Sequence, residues 1–202
     1  KYMTLESPAL YVVPTPLGNL GDLTLRAAEV LRSVAWVAAE DTRHSAPLLK
    51  HLGAAARTLP AHQHNEHEAA ARIVDKLQAG ESVALISDAG TPGISDPGAR
   101  LADAVWAAGL RVVPIVGASA VIGALSAAGL ESGQFQFHGF LPPKSGARCK
   151  TLQQWQQAEY AVVCYEAPHR ILECVEDIVA TLGAERRLIL ARELTKTFET
   201  FL

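Results

Sequence analysis

The densest chemistry in this chain lies in Leu85–Gly98, LISDAGTPGISDPG, where three glycines and two prolines follow the apolar run Ser82–Ile86. Glycines at 90, 93 and 98 let the backbone take positive φ and come close to a ligand, while Pro92 and Pro97 stiffen it. Such a loop reads as a rigid cradle of N–H groups. It is neither G-x-G-x-x-G nor a P-loop, and no lysine stands where it would reach phosphates. Asp88 and Asp96 flank it, which suits a ligand carrying cationic groups and hydroxyls better than a triphosphate. The plain alternative is an ordinary strand-to-helix connection.

Other apolar runs also end in reactive groups. Val34–Ala39 leads into Glu40-Asp41-Thr42-Arg43-His44, four ionisable side chains in five residues. Ala161–Tyr165 leads into Glu166, His169 and Arg170, and Arg187–Ala191 into Arg192, Glu193 and Lys196. Charges beside buried strand ends are paired or used. Asp41 or Thr42 could simply cap a helix through Leu52, and the later groups could pair reciprocally between strand ends. Lys144, Arg148 and Lys150 form a basic stretch after Pro142-Pro143. His62, His64 and His67 imitate a metal cluster, but alternating histidines on a loop need not converge, and Asn65 reads as an N-cap, so no metal site is expected. Three cysteines without C-x-x-C spacing argue against disulfides or zinc and fit a reducing cytoplasm.

Repeated strand, turn and helix must position these groups. Leu10–Val13 is a strand ending in the turn Pro14–Gly21, after which Asp22 is expected to cap a helix to Ser33. Asp96-Pro97 similarly reads as the cap and first turn of a helix over Gly98–Ala108. Arg111–Val116 is a strand ending in the small-residue turn Gly117-Ala118-Ser119-Ala120, before a helix to Ala128. Strands alternating with helices of about 10–15 residues predict a parallel sheet whose ligand site lies at the strands' carboxyl ends. The first domain is expected to cover residues 1–130, with a disordered lead at Lys1–Pro8 and a linker at Glu131–Gln134. In residues 131–202, Phe135–Leu141 alternates like a half-exposed strand, so a mixed-sheet α/β domain is expected.

Composition narrows the classes. With 202 residues and 49% apolar content the chain can bury a sizeable core, and no run approaches a membrane span. A signal-peptide layout is missing at the start, and net charge is −3. Nucleic acid would therefore need a local basic patch.

Taken together, VPTPLGNLGDLTLRA, AAEDTRHS, HNE, ISDAGTPGISDPG, ALSAAGL, GFLPPKS, YEAPHR and ARELTKTFE resemble one family. It is the bacterial 16S ribosomal RNA methyltransferases that modify a cytidine ribose 2′-hydroxyl, within the tetrapyrrole methylase superfamily. The resemblance implies two α/β domains with S-adenosylmethionine in the cleft between them, a homodimer, and small-subunit RNA as partner. It implies cofactor contacts at Pro14, Asp88, Gly90, Thr91, Pro92, Gly93, Ile94, Ser95 and Gly117, Ala118, Ser119, Ala120. Second-domain contacts would come from Tyr165, Glu166, Ala191, Arg192, Glu193 and Leu194. The turn Gly117-Ala118 departs from the Gly-Pro common in relatives, and the family continues beyond the position of Leu202, so the second domain is expected to extend further. A 2′-hydroxyl needs a base, which Glu40, Asp41, His44 or Glu193 could supply, with Arg43, Arg170 or Lys196 holding phosphate or alkoxide. RNA would be reached through Lys144, Arg148, Lys150, His169 and Arg170. A tetrapyrrole methyltransferase and a non-catalytic ribosome-assembly binder are the competing readings.

Overall fold

The computed structural model describes residues 8–131 and 133–202. Residues 1–7, which include most of the expected disordered lead, and Ser132 of the expected linker lie outside them. The chain divides into two compact units, the first running to Ala120 and also taking in Glu193–Phe198, the second comprising Val121–Arg192 and Glu199–Leu202. The division falls at the start of a helix, not near Leu130.

The first unit holds five strands, β1 (Ala9–Val12), β2 (Trp36–Ala39), β3 (Arg57–Pro60), β4 (Val83–Ile86) and β5 (Arg111–Pro114), in the order β3-β2-β4-β1-β5. All four pairings are parallel. Period-two side-chain alternation builds a core on each face. Tyr11, Val37, Ala84 and Ile86 pack with α1 (Leu25–Ser33) and α2 (Thr42–His51). Leu10, Ala38, Val83 and Leu85 pack with α3 (Glu66–Gln78) and α4 (Ala99–Ala107) on the other. Every residue of β4 is buried, as a central strand covered on both faces requires. Strand β3 has no counterpart among the expected elements: at this edge only Leu59 of its four residues is buried, so it carries almost no apolar signal.

Two expected caps fall elsewhere. Thr24 caps α1, its hydroxyl accepting from the Ala27 N–H at 3.0 Å, while Asp22 closes a short 3-10 turn, Leu20–Asp22. Helix α4 begins at Ala99 with Gly98 at the cap position, φ +146°, so Asp96 and Pro97 lie before the helix and Asp96 is not its cap. Asp41 does cap α2, accepting from the N–H groups of Arg43 (2.8 Å) and His44 (3.4 Å). Asn65 stands at the cap position of α3, but its side chain turns back to accept from the His62 N–H at 2.8 Å.

In the second unit β6 (Phe135–Phe140) pairs in parallel with β7 (Ala161–Tyr165). β8 (Ala191–Arg192) pairs antiparallel with β9 (Thr200–Phe201). Both pairing types are present, in two separate ladders. The strand expected over Arg187–Ala191 is shorter, since only the Leu190–Leu202 backbone pair (2.9 and 3.0 Å) extends β8. Arg187 instead donates to the carbonyls of Ala128 and Gly129, both at 3.2 Å.

Helices α6 (Ser145–Gln153) and α7 (Ile171–Leu182) close a small core of Leu141, Leu152, Trp155 and Cys174. Arg148 lies at its centre with no exposed surface. Its guanidinium meets Asp177 at 2.7 Å and Glu173 at 2.9 Å on α7, and the carbonyls of Pro142 and Pro143 at 3.4 and 3.3 Å. Arg148 is therefore withdrawn from the RNA-contacting set: it joins two helices and one loop. Among the described residues no helix is long and apolar enough to cross a membrane, and no group of three or more His, Cys, Asp or Glu side chains could hold a metal ion.

Removing one partner of a buried ion pair leaves the others unpaired in a poor solvent. Arg148→Ala is expected to lower the free energy of unfolding by about 3 kcal/mol, read by urea denaturation; a folded variant defective only in RNA binding would contradict this placement. Gly98→Ala should also destabilise, because a Cβ there would sit 3.1 Å from the Gly93 nitrogen and 3.2 Å from Leu85. The expected result is a lower Tm.

Candidate functional site

The first unit's helices leave the sheet on opposite faces: α1 and α2 follow β1 and β2 on one side, α4 follows β4 on the other. Where adjacent strands send their chains to opposite faces, a crevice forms at their carboxyl ends. Here β4 is the switch, with β1 and β2 as its neighbours.

Two loops meet at that point. Thr15 and Gly90 exchange backbone hydrogen bonds at 3.0 and 2.9 Å, and the Thr15 hydroxyl donates to the Ser87 carbonyl at 3.0 Å. Gly90 needs φ +78° for this, and a side chain there would press on Leu17 at 3.1 Å. Beyond the bridge the Thr91 hydroxyl donates to the Ala118 carbonyl at 2.8 Å. Gly117 faces the ring of Pro14, where a Cβ would approach to 3.0 Å. So Pro14, Gly90, Thr91, Gly117 and Ala118 converge at the ends of β1, β4 and β5. Ser119 follows directly, and Ala120 opens α5 (Ala120–Ala127). In the glycine turn Pro92 is buried and Ile94 is exposed, and the N–H groups of Gly93 and Ser95 meet no acceptor among the described residues. Exposed donors on a stiff turn are what a polar nucleoside or an amino-acid carboxylate can use.

On the other side of β4 the carboxylates gather. The Asp41 N–H donates to Asp88 Oδ1 at 3.4 Å, tying the β2 and β4 ends. Glu40 is held above the ordinary carboxylate pKa, first by burial and then by Asp88 and Asp96, with His62 opposing. Asp96 is raised as well, by burial and then by Asp88, against a hydrogen bond from Ser87. Asp88 and Asp96, expected from the residue pattern to flank the glycine loop, thus gather with Glu40 and with His62 from the loop after β3. His62 stands two residues ahead of the HNE motif (His64-Asn65-Glu66), and Asp96 is the second aspartate of the glycine loop. Asn65 fixes the His62 backbone, and Glu66 accepts from the Gly98 N–H at 3.4 Å, joining that motif to the loop. Arg43 is exposed and lies 3.5 Å from Asp41. His44 is exposed in the first turn of α2.

The segment Glu193–Phe198 belongs to the same unit. Glu193 and Thr195 have positive φ, +53° and +71°, rare for any side chain and especially for a β-branched one. Held strain of this kind clusters at working sites. Lys196 pairs with Glu193 at 3.4 Å, and its stem fills the space where a Gly18 side chain would stand. Leu194 lies within this turn.

In the second unit, Tyr165 ends β7 and stacks edge-on with Phe137 at 5.0 Å. Glu166 is nearly buried; its Oε1 accepts from the Ala167 N–H at 2.7 Å and meets Arg170 at 2.8 Å. Charged groups at the two strand ends therefore pair locally, Glu166 with Arg170 and Glu193 with Lys196. His169, Lys144 and Lys150 are exposed, as are Ala191 and Arg192. Burial pushes the Cys164 thiol up to about 12 and Cys174 up to about 11, so neither is a nucleophile at neutral pH.

A parallel sheet, a glycine turn at the switch point and acidic strand ends define a ligand-binding α/β protein, and comparison with known proteins gives the class. The model of the tetrapyrrole (corrin/porphyrin) methylases matches residues 9–202, and the chain belongs to that family. Within it, the chain is similar to proteins named ribosomal RNA small subunit methyltransferase I. The one from Vibrio cholerae is 54% identical over 96% of this chain and 67% of its own length. The one from Pseudomonas aeruginosa is 54% identical over 97% and 70%. Among solved structures, the methyltransferase CobJ superposes with a TM-score of 0.72 at 21% identity, over 97% of this chain and 85% of that one, a likeness of fold.

Because folding raises the pKa of Glu40, the native state favours its protonated form. That advantage is complete below the ordinary value and is lost as pH rises through the raised one. Glu40→Gln is therefore expected to melt higher than the parent protein at about pH 7 and at the same temperature near pH 4, followed by circular dichroism; an equal difference at both pH values would refute the assignment.

Proposed function

We propose that this chain transfers a methyl group from S-adenosylmethionine to the ribose 2′-hydroxyl of a cytidine in the 16S ribosomal RNA of the small subunit. The observation that carries this reading is the 54% identity, over nearly the whole chain, to proteins named for methylating that subunit's RNA. The first unit's geometry agrees with it. Pro14, Gly90–Ser95 and Gly117–Ala120 would hold the cofactor, since the N–H groups of Gly93 and Ser95 and the small side chains of the two turns fit a nucleoside and an amino-acid tail. Asp96, beside the turn, would attract its cationic groups.

Bound there, S-adenosylmethionine supplies a methyl group already activated on sulfonium. What remains for the protein is to place a hydroxyl in line and take its proton. Glu40 suits that role, because its raised pKa makes it a better proton acceptor than an ordinary carboxylate, and Asp88 and Asp96 maintain the shift. Asp41 holds the end of α2 on which Arg43 and His44 stand, and Arg43 can meet a flanking phosphate. Lys196, kept beside the β1 loop by Gly18 and Glu193, is the second cation of this unit placed to do so.

A net charge of −3 gives little long-range attraction for naked RNA. The assembled subunit is therefore the substrate of choice, its shape supplying what charge does not. Lys144, Lys150, His169 and Arg170 stay as RNA-contact candidates, and a homodimer in the cytoplasm as the working form.

The test is transfer of labelled methyl from S-adenosylmethionine to small subunits at saturating cofactor. Glu40→Ala should lower kcat about 100-fold, and Arg43→Ala and Lys196→Ala should raise the KM for subunits. Full rates for all three, together with Asp41→Ala, His44→Ala and Glu193→Ala, would defeat the assignment, and labelling of a corrin or porphyrin instead of RNA would defeat the function.

A further inference from the structure

A cavity of about 430 Å³ opens within the first unit beside the carboxyl ends of β1 and β4. Pro16, Leu20, Ile86, Pro47 and Leu48 make its apolar walls. His44 and His51 reach it from α2, seven residues and so two turns apart, on either side of Pro47 and Leu48. The hydroxyls at its floor are already engaged: Thr15 with the Ser87 carbonyl (3.0 Å), Ser87 with the Gly90 carbonyl (3.2 Å) and Ser45 with the Asp41 carbonyl (3.1 Å). Asp88, exposed at the rim with its Oδ1 on the Asp41 N–H at 3.4 Å, and the two imidazoles are the polar groups that can meet a ligand.

That lining has a definite preference. Among the described residues no lysine or arginine faces the cavity, so a phosphate has nothing to pair with there. Apolar walls closed by imidazoles suit a flat, uncharged ring, and a carboxylate at the edge accepts from an exocyclic amine, as it does from the amino group of cytosine. The volume is within the range of small-molecule pockets. Arg43 stands next to His44 with its side chain 92% exposed, outside the cavity, where the phosphate of the same nucleotide would lie.

We infer that this cavity seats the unpaired cytosine of the acceptor nucleotide, its ring against Pro47 and Leu48 between His44 and His51, and its amino group on Asp88. The inference rests on the RNA methyltransferase reading and names the base-recognition part of that site. It moves Asp88 from the cofactor's side to the acceptor's. The Thr15–Gly90 bridge supports the distinction: Thr15 lines the cavity, whereas neither the turn Gly90–Ser95 nor Gly117–Ala120 does. A base seated on this side of the bridge and a cofactor on the glycine turn would flank the strand ends that carry Glu40.

The experiment compares the parent protein with Leu48→Trp, which fills the cavity, and with His51→Ala and Asp88→Asn. His51 is exposed, so its variant should keep the native Tm. Three quantities are measured: S-adenosylmethionine Kd by calorimetry, kcat and KM on small subunits, and the ratio of rates on subunits carrying cytidine or uridine at the methylated position. Cofactor Kd should stay within about twofold for all variants, while kcat/KM on subunits falls about 20-fold for Leu48→Trp and about fivefold for His51→Ala. Asp88→Asn, which can donate to the uracil oxygen, should narrow the cytidine preference about tenfold. If His51→Ala and Leu48→Trp work at the parent rate, if they lose cofactor binding instead, or if Asp88→Asn leaves the preference unchanged, the cavity is not the base seat. If the parent protein itself transfers no methyl to subunits, the function falls as well, which sets that failure apart from the others.

Discussion

Two hydrogen bonds between Thr15 and Gly90 hold the arrangement on which the rest of the first unit depends. They join the loops that leave β1 and β4 for opposite faces of the sheet, at the point where those chains would otherwise splay apart. Gly90 can accept them only with a left-handed backbone, and Thr15 contributes its hydroxyl as well. Once this bridge is made, Thr91 can reach Ala118 on one side and Asp88 can reach the Asp41 N–H on the other. Glycine turn and carboxylate group are thus placed by the same pair of bonds. This explains a loop with three glycines and two prolines better than ligand approach alone: Gly90 and Gly98 are needed first for the chain to pack on itself, against Leu17 and against Gly93 with Leu85.

Much of this is legible in the order of the residues. The apolar runs that become β1, β2, β4 and β5 announce themselves, and so does Asp41 as a cap, because strand burial and capping act over a few residues. Strand β3 stays hidden because an edge strand of this kind buries one side chain in four. The caps at Thr24 and Gly98 are obscured for a local reason too, since Asp22 and Asp96 are good caps in isolation and lose to neighbours with better backbone geometry. The convergence of Glu40, Asp88, Asp96 and His62 is of another kind. It depends on β2 lying between β3 and β4, a strand order that no stretch of sequence contains.

Arg148 shows the same limit from the other direction. Between Lys144 and Lys150 it looks like one more surface cation, and only Glu173 and Asp177, on a helix that begins 23 residues later, reveal it as the centre of a core. Arginine suits that place, since its fork of donors can serve two carboxylates and two carbonyls at once, which a lysine could not. Residue type and neighbouring charges along the chain do not separate a cation that faces solvent from one that holds two helices together.

The stem of Lys196 against Gly18 carries a consequence for how the molecule comes into being. Residues near the start of the chain are completed by residues near position 196, although the stretches on both sides of that segment belong to the second unit. During vectorial synthesis the five-stranded sheet can assemble as soon as β5 emerges, yet the loop after β1 must wait for the stretch from Pro114 to Lys196 before its lysine arrives. The nascent protein therefore acquires the framework of its sheet before the packing of the loop after β1 is complete.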